Sequence, residues 1–236
     1  MTQITNLAET SSPLPWHSQQ WQRLVQQLDQ GTLPHAMLLA GAAHTGMSQL
    51  ALALSRLLLC SRPEEGVNCG QCHACELSRS GGHGDFLWVE PQEKSRVIKI
   101  DQVREVVQFT NKTSGFGARK VVVLEPADSM NVNASNALLK SLEEPSPDTY
   151  LLLICHRMHN VSATIRSRCQ ICRMPTPARE DFLAWLDRVT SQRETSESLL
   201  SLAEGRPLLA QQLYLDDSAD KLLARREAFT SLLQSA

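Results

Sequence analysis

The chain has 236 residues, 42% of them hydrophobic, with 23 basic and 25 acidic side chains and a formal charge of −2. That length suits one large or two modest globular domains, and the near balance of charge excludes an overall field that would draw the chain onto DNA or an acidic membrane. No apolar run approaches the ~20 residues of a membrane span, and the N-terminus lacks the basic start and apolar stretch of a signal peptide, so a cytoplasmic location is expected.

Residues 17–29 carry Trp21, Leu24, Val25 and Leu28 at helical spacing, and GTLP then ends the helix. HAMLLAG (35–41) is a short apolar run stopped by glycine, and MSQLALALSRLLLC (47–60) repeats its apolar residues as a buried helix does, giving the order strand, loop, helix. RVIKI (96–100) reads as a strand, with Asp101 placed to cap the helix QVREVVQFT that follows. KVVVLEPAD (120–128) is too apolar for an exposed strand and suits the centre of a parallel sheet. Residues 131–143 form the next helix, stopped by the prolines of EPSP; TYLLLICH (149–156) is another buried strand and CQICRM (169–174) a shorter one. Strands alternating with helices predict an α/β fold with a parallel sheet.

After Pro175 and Pro177 the pattern becomes purely helical, at about 179–191, 195–204, 207–215 and 217–234, with Gly205 and Pro207 breaking the run. A boundary is expected near Thr176, dividing an α/β domain (1–175) from a small helical domain (176–215) and the start of a further helical region (216–236). The helical part is short and its last helix lacks an evident cap, so the chain reads as a piece of a longer protein.

GAAHTGMS (41–48) has the spacing of the phosphate-binding loop GxxxxGK[ST], in which backbone amides cradle phosphates, lysine neutralises them and the hydroxyl ligates magnesium. Gly41, Gly46 and Ser48 fit, but Met47 stands where lysine belongs. A hydrogen bond to a charged group is worth about 1.5–3 kcal/mol, so nucleotide binding should be roughly ten- to a hundredfold weaker, and hydrolysis weaker still. At the end of VVVLEPAD, such proteins carry a magnesium-binding acid followed by a glutamate that activates water; here Glu125 is followed by Pro126, which cannot polarise water. Two defects in separate motifs predict a degenerate nucleotide site without ATP hydrolysis. The plainer reading makes the segment an ordinary strand-to-helix turn.

Four of the seven cysteines, Cys60, Cys69, Cys72 and Cys75, have the spacing C-x8-C-x2-C-x2-C. Four soft ligands suit tetrahedral zinc, and a closed tetrathiolate leaves no open position for water, which points to structure rather than catalysis. The insertion at about 60–84 has almost no apolar residues of its own, so metal binding, at roughly 10–16 kcal/mol, can supply its order. His73 and His83 are possible substitute ligands and an iron–sulfur cluster is the chemical rival, while Cys155, Cys169 and Cys172 read as core thiols.

LPHAMLLAG, the four-cysteine insertion, IDQVREV, NASNALLKSLEEPSPDTYLLLIC and ATIRSRCQ follow one another over nearly all of residues 14–175. In these segments the chain resembles the subunits of the bacterial DNA polymerase III clamp loader, members of the AAA+ family, and among them those that do not hydrolyse ATP. The resemblance implies a sheet domain and a helical lid, normally followed by a helical collar through which five subunits form an open ring. It implies a stator that helps load the sliding clamp onto primed DNA beside the gamma/tau and delta subunits. It also implies that Arg168, within SRC, reaches the ATP site of a neighbour, where a guanidinium in trans is worth about 10³–10⁵ in rate. Arg166 is the nearby competitor for that role. Arg206 lies where relatives place a nucleotide-sensing arginine, Lys140 is a candidate for DNA phosphate contact and Asn136 for a subunit interface. Two other functions stay open: an ATPase in which Arg119, Lys120 or Arg206 replaces the missing cation, and a zinc-ribbon module that binds nucleic acid alone.

Overall fold

The computed structural model describes residues 7–92, 95–117, 119–174, 176, 178–216 and 218–219. The two prolines at the expected boundary, and nearly all of the helix expected over 217–234, lie outside the described residues.

Five strands form one sheet: β1 (Ala36–Ala40), β2 (Phe86–Val89), β3 (Lys120–Leu124), β4 (Thr149–Cys155) and β5 (Gln170–Arg173), in the order β2-β3-β4-β1-β5, every pairing parallel. Alternate side chains serve opposite faces, as the two-residue strand period requires. Met37, Leu39, Val121, Val123, Leu152 and Ile154 pack with Trp21 and Leu24 of α1 (Ser18–Asp29) and Leu50, Leu54 and Leu57 of α2 (Met47–Leu59). Leu38, Val122, Leu124, Leu151 and Leu153 pack on the other face with Val103 and Val106 of α4 (Ile100–Asn111) and Ala134, Leu138 and Leu142 of α5 (Val132–Glu143). Helices on both faces explain why β3 and β4 read as unbroken apolar runs. Because all strands run the same way, the segments after β1, β3 and β4 emerge at one edge of the sheet and those before β3 and β5 at the other.

The segment RVIKI is not a strand: α4 already begins at Ile100, and only an isolated bridge joins Ile98 to Met130. Ile98 is fully buried in the core beneath α4, which accounts for its strand-like character. Asp101 does not cap that helix; it lies in the first turn and pairs with Arg104 at 2.9 Å, while Gln102 folds back to accept from the Lys99 amide at 3.1 Å. The strand actually at this side is β2, and the cysteine insertion holds a helix of its own, α3 (His73–Ser80), ended by Gly81 at φ 80°.

The described residues divide into two compact units, one within 1–42 and 47–175, the other within 43–46 and 176–236. In the second, α7 (Arg179–Thr190), α8 (Arg193–Leu202) and α9 (Pro207–Leu215) bury Phe182, Leu183, Leu186, Leu199, Leu200, Ala203 and Ala210. Arg193 ties α7 to α8 by ion pairs to Glu180 and Asp187, and Thr190 shares a buried 2.7 Å hydrogen bond with Ser196. Among the described residues no helix is long and apolar enough to cross a membrane.

Candidate functional site

Gly41, which follows β1 and donates its amide to Cys155 O at 3.1 Å, lies at the edge where β1, β3 and β4 end. Gly46 has φ 97°, a conformation that favours glycine. Gly41 serves packing: a Cβ there would fall 2.9 Å from Met174 Cβ and 3.1 Å from Met47 Sδ. Met47 is 2% exposed and belongs to the core cluster of α2 and the sheet, so the side chain in the lysine position points into hydrocarbon rather than to a phosphate. Ser48 and Glu125, 77 residues apart in sequence, do meet, the Ser48 hydroxyl donating to Glu125 Oε1 at 2.5 Å. Glu125 Oε2 is buried and without a hydrogen-bond partner. Burial pushes the Glu125 carboxyl above its ordinary pKa and nearby Glu90 adds to this, with the Ser48 hydroxyl opposing. Two groups that would share a magnesium ion in a working site thus bond to each other. Sequence reading missed a second polar pair at this edge, in which the His156 amide, just past β4, donates to Asp128 Oδ1 at 2.9 Å. Nothing local links residues 28 positions apart, so only the sheet reveals it.

Of the cations that could replace the lysine, Lys120 opens β3, in register with Thr149 of β4, and so lies at the far edge of the sheet, ~20 Å from Gly41 along the strand direction. It is 4% exposed, donates to the carbonyls of Phe109 and Lys112 at the end of α4 and sits 4.6 Å from the Phe109 ring centroid. That is a helix C-terminal cap and a cation–π contact, a structural assignment. Arg119 lies beside it, donating to Leu58 O at 3.4 Å at the end of α2. Arg206, at the N-cap of α9, pairs with Glu204 at 2.5 Å. Asn136 and Lys140 are exposed on α5.

Arg168 also lies at the far edge. It follows the short helix α6 (Ala163–Arg166) and precedes β5 by two residues. In the β1–β5 register, where Gln170 faces Met37, about six residues of strand, or ~20 Å, separate it from the chain's own Gly41. Its guanidinium is held by Glu143 Oε1, 2.6 Å from Nε and 2.5 Å from Nη2, while Nη1 donates to Thr164 O at 3.0 Å. The side chain keeps a third of its surface exposed. Arg166 differs: its Nε is buried without a hydrogen-bond partner.

The four cysteines come together as a second site. Their sulfurs all lie within 4.8 Å of one another, a group able to hold one metal ion. Cys60 follows α2, Cys69 and Cys72 lie in the turn before α3, and Cys75 is in its first turn. The Cys69 amide donates to Cys60 Sγ at 3.3 Å and the Cys72 amide to Cys69 Sγ at 3.4 Å, fixing the turn around the sulfurs. Burial pushes the Cys60 thiol up to about 12, whereas at Cys72 hydrogen bonds from Ser61 and the Cys75 backbone overcome burial and bring it down to about 6. The substitute ligands stay outside: His73 is exposed beside Glu76, and the buried His83 accepts from the Asp85 amide at 3.1 Å. Of the remaining three thiols, Cys155 and Cys169 are buried and Cys172 is half-buried against the core, and burial raises all three.

With this geometry in place, the likeness to known proteins is specific. A family model described as DNA polymerase III, delta subunit, matches residues 16–178. The chain is 46% identical over 202 residues to the Pseudomonas aeruginosa protein named DNA polymerase III subunit delta', covering 85% of this chain and 61% of that one. With the Escherichia coli K12 protein of the same name it is 34% identical over 205 residues, 86% of this chain and 61% of that one. It thus spans about 60% of the length of these relatives. Among solved structures, it superposes on the Thermotoga maritima RuvB Holliday junction branch migration motor with a TM-score of 0.56 at 15% identity, over 89% of this chain and 67% of that one. A DNA polymerase III gamma subunit-related protein of Thermotoga maritima gives 0.51 at 18% identity, over 87% of this chain and 75% of that one. At such identities these structures speak to the fold alone, which is that of an AAA+ module. By the match over residues 16–178 and the relatives that share it, the chain belongs to the DNA polymerase III delta-prime family.

Proposed function

We propose that this chain acts in the cytoplasm as the non-hydrolysing, stator subunit of the DNA polymerase III clamp loader. It helps place the sliding clamp on primed DNA beside the gamma/tau and delta subunits, and lends Arg168 to the ATP site of a neighbour. The observation that carries this reading is the polarity of the sheet: Arg168 and Gly41 lie at opposite edges, ~20 Å apart along the strands. An arginine so placed serves a nucleotide only if another chain brings it. The chain's own site lacks both chemical tools, since Met47 is packed into the core and Pro126 follows Glu125. A guanidinium held by Glu143 and the Thr164 carbonyl is pre-oriented, so little side-chain freedom is lost when it meets a phosphoryl group.

The four-sulfur site is read as structural zinc: all donors are thiols and the group is closed. The zinc would hold together a segment with few apolar residues and supply no reaction chemistry.

The test is reconstitution of the loader with the full-length protein carrying Arg168→Ala. Clamp- and DNA-stimulated ATP hydrolysis should fall by at least ~10³-fold at the one site this arginine serves, with assembly intact by size-exclusion chromatography. Unchanged hydrolysis in an assembled complex removes the trans role, and magnesium-dependent turnover by the isolated chain removes the non-hydrolysing assignment.

A further inference from the structure

Arg56 is 1% exposed, the largest fully buried side chain of the sheet unit. Its guanidinium donates to the carbonyls of Ala8 (2.7 Å) and Glu9 (2.9 Å) and to the hydroxyls of Ser11 (2.5 Å) and Ser78 (3.3 Å). All four acceptors are neutral, and among the described residues no carboxylate forms an ion pair with it. Glu9 turns its own carboxylate outward, to Arg79 at 3.9 Å. A buried charge without a counter-charge is strongly disfavoured, so the missing negative charge has to be found nearby.

The cysteine cluster adjoins both the helix that carries Arg56 and its partner Ser78. Arg56 stands one turn before Cys60 on α2, and its partner Ser78 stands one turn after Cys75 on α3, bonded to the Cys75 carbonyl at 3.0 Å. Four thiolates around a divalent ion carry a net charge of −2, the sign that the uncompensated guanidinium lacks.

The same contacts tie down residues 7–11. The Glu9 carbonyl that accepts from Arg56 also accepts from Asn68 Nδ2 at 2.9 Å, and Nδ2 reaches Cys75 Sγ at 3.4 Å. Asn68, fully buried, takes the Ser11 amide on its Oδ1 at 2.8 Å, and the Leu7 amide donates to Arg79 O at 3.3 Å. Gly70, at φ 76°, leaves room for this strap: a Cβ there would lie 3.1 Å from Glu9 O.

We propose that Arg56 is the buried counter-charge of the metal–tetrathiolate and that metal loading locks the N-terminal strap, residues 7–11, onto the cysteine module. The proposal rests on reading the four sulfurs as a metal site, and it makes Arg56 and Asn68 positioning residues that act on the metal through charge and an N–H···S bond. Removing the metal takes away the ion that gathers the sulfurs beside Arg56 and Asn68, and so releases the strap whose carbonyls these two side chains hold.

Hydrogen exchange of the full chain, zinc-loaded and then stripped with a chelator under reducing conditions, tests this without a variant. Protection over 7–11 and 68–70 should disappear together on stripping and return with zinc, while β3 and β4 stay protected. Arg56→Met should weaken zinc, in competition with a chromophoric chelator, by roughly 10–100-fold, the usual range for loss of an outer partner of a metal site. Arg56→Lys, which keeps the charge, should recover most of that loss. Strap protection indifferent to zinc, or Arg56→Met with parental zinc affinity, overturns the proposal while leaving the metal site standing. A parent chain that takes up no stoichiometric zinc overturns the metal reading itself.

Discussion

Restoring the missing lysine by Met47→Lys separates a silent nucleotide site from one that merely lacks a cation. Met47 is 2% exposed and packs against Gly41, Met174 and the α2 face of the core. Full burial of a methionine is worth about 1.5–3 kcal/mol. A lysine there either buries an unpaired ammonium or swings outward and leaves a gap, and the second course is cheaper because its stem can follow the surface while the head reaches water. The expected cost is therefore about 2–3 kcal/mol, which for a domain of this size lowers the Tm by about 4–12 °C. Met47→Leu, which conserves volume, should cost less than about 1.5 kcal/mol. Magnesium-dependent ATP hydrolysis should remain absent in both, since Pro126 still follows Glu125. Thermal unfolding by circular dichroism and a coupled ATPase assay give both answers on one preparation. A lysine variant that melts with the parent and turns over ATP would refute the assignment of Met47 to the core and of the site to silence.

Glu125→Gln should leave stability at pH 7 unchanged or raise it, read as the urea midpoint, because burial already raises the carboxyl's pKa and the neutral amide needs no charge desolvated. The sign for the native acid agrees: with its folded pKa above the unfolded one, Glu125 contributes less stability as pH rises through that window. His17 acts in the opposite sense: it is 1% exposed, its Nδ1 has no partner, and burial lowers its pKa from 6.5 to about 4. The neutral ring favours the fold, so stability present above pH 6.5 is lost as pH falls toward 4, by about 3 kcal/mol at most; His17→Phe should flatten that slope in urea titrations, and an unchanged slope would assign the acid lability elsewhere. Cys72→Ser should abolish stoichiometric zinc by metal analysis and expose α3 to proteolysis while β3 and β4 keep their exchange protection.

How much of this was legible depends on whether the signal was local. The strands Lys120–Leu124 and Thr149–Cys155 were readable because both faces of a central parallel strand are covered, so each runs unbroken through apolar residues after its polar first position. Phe86–Val89 was not, since only Val89 is fully buried and the strand follows the glycine-rich stretch SGGHGD. RVIKI misled because one deeply buried isoleucine at a helix entry gives the same composition as a short strand. The cysteine spacing survived because four ligands close together in sequence need little help from the fold to meet, as the 4.8 Å grouping of their sulfurs bears out. Arg56, in the middle of an apolar helix, gave no sign: its burial depends on a strap 45–48 residues away.

The two edges of the sheet carry the remaining argument. In a parallel sheet every strand's end lies at one edge and every strand's start at the other, so a residue before β5 and a loop after β1 cannot serve one ligand in one chain. Chains that pair such unlike edges associate head to tail, in a heterologous contact that gives a ring or an open arc. On the proposed trans role, a chain that keeps a third of the Arg168 side chain exposed at one edge but fills the lysine place at the other edge with a core methionine would serve a neighbour's nucleotide and hold none of its own. On that proposal Met47→Lys and a base in place of Pro126 should be non-additive: restoring the lysine alone gains no hydrolysis, because the residue that would activate water is still proline.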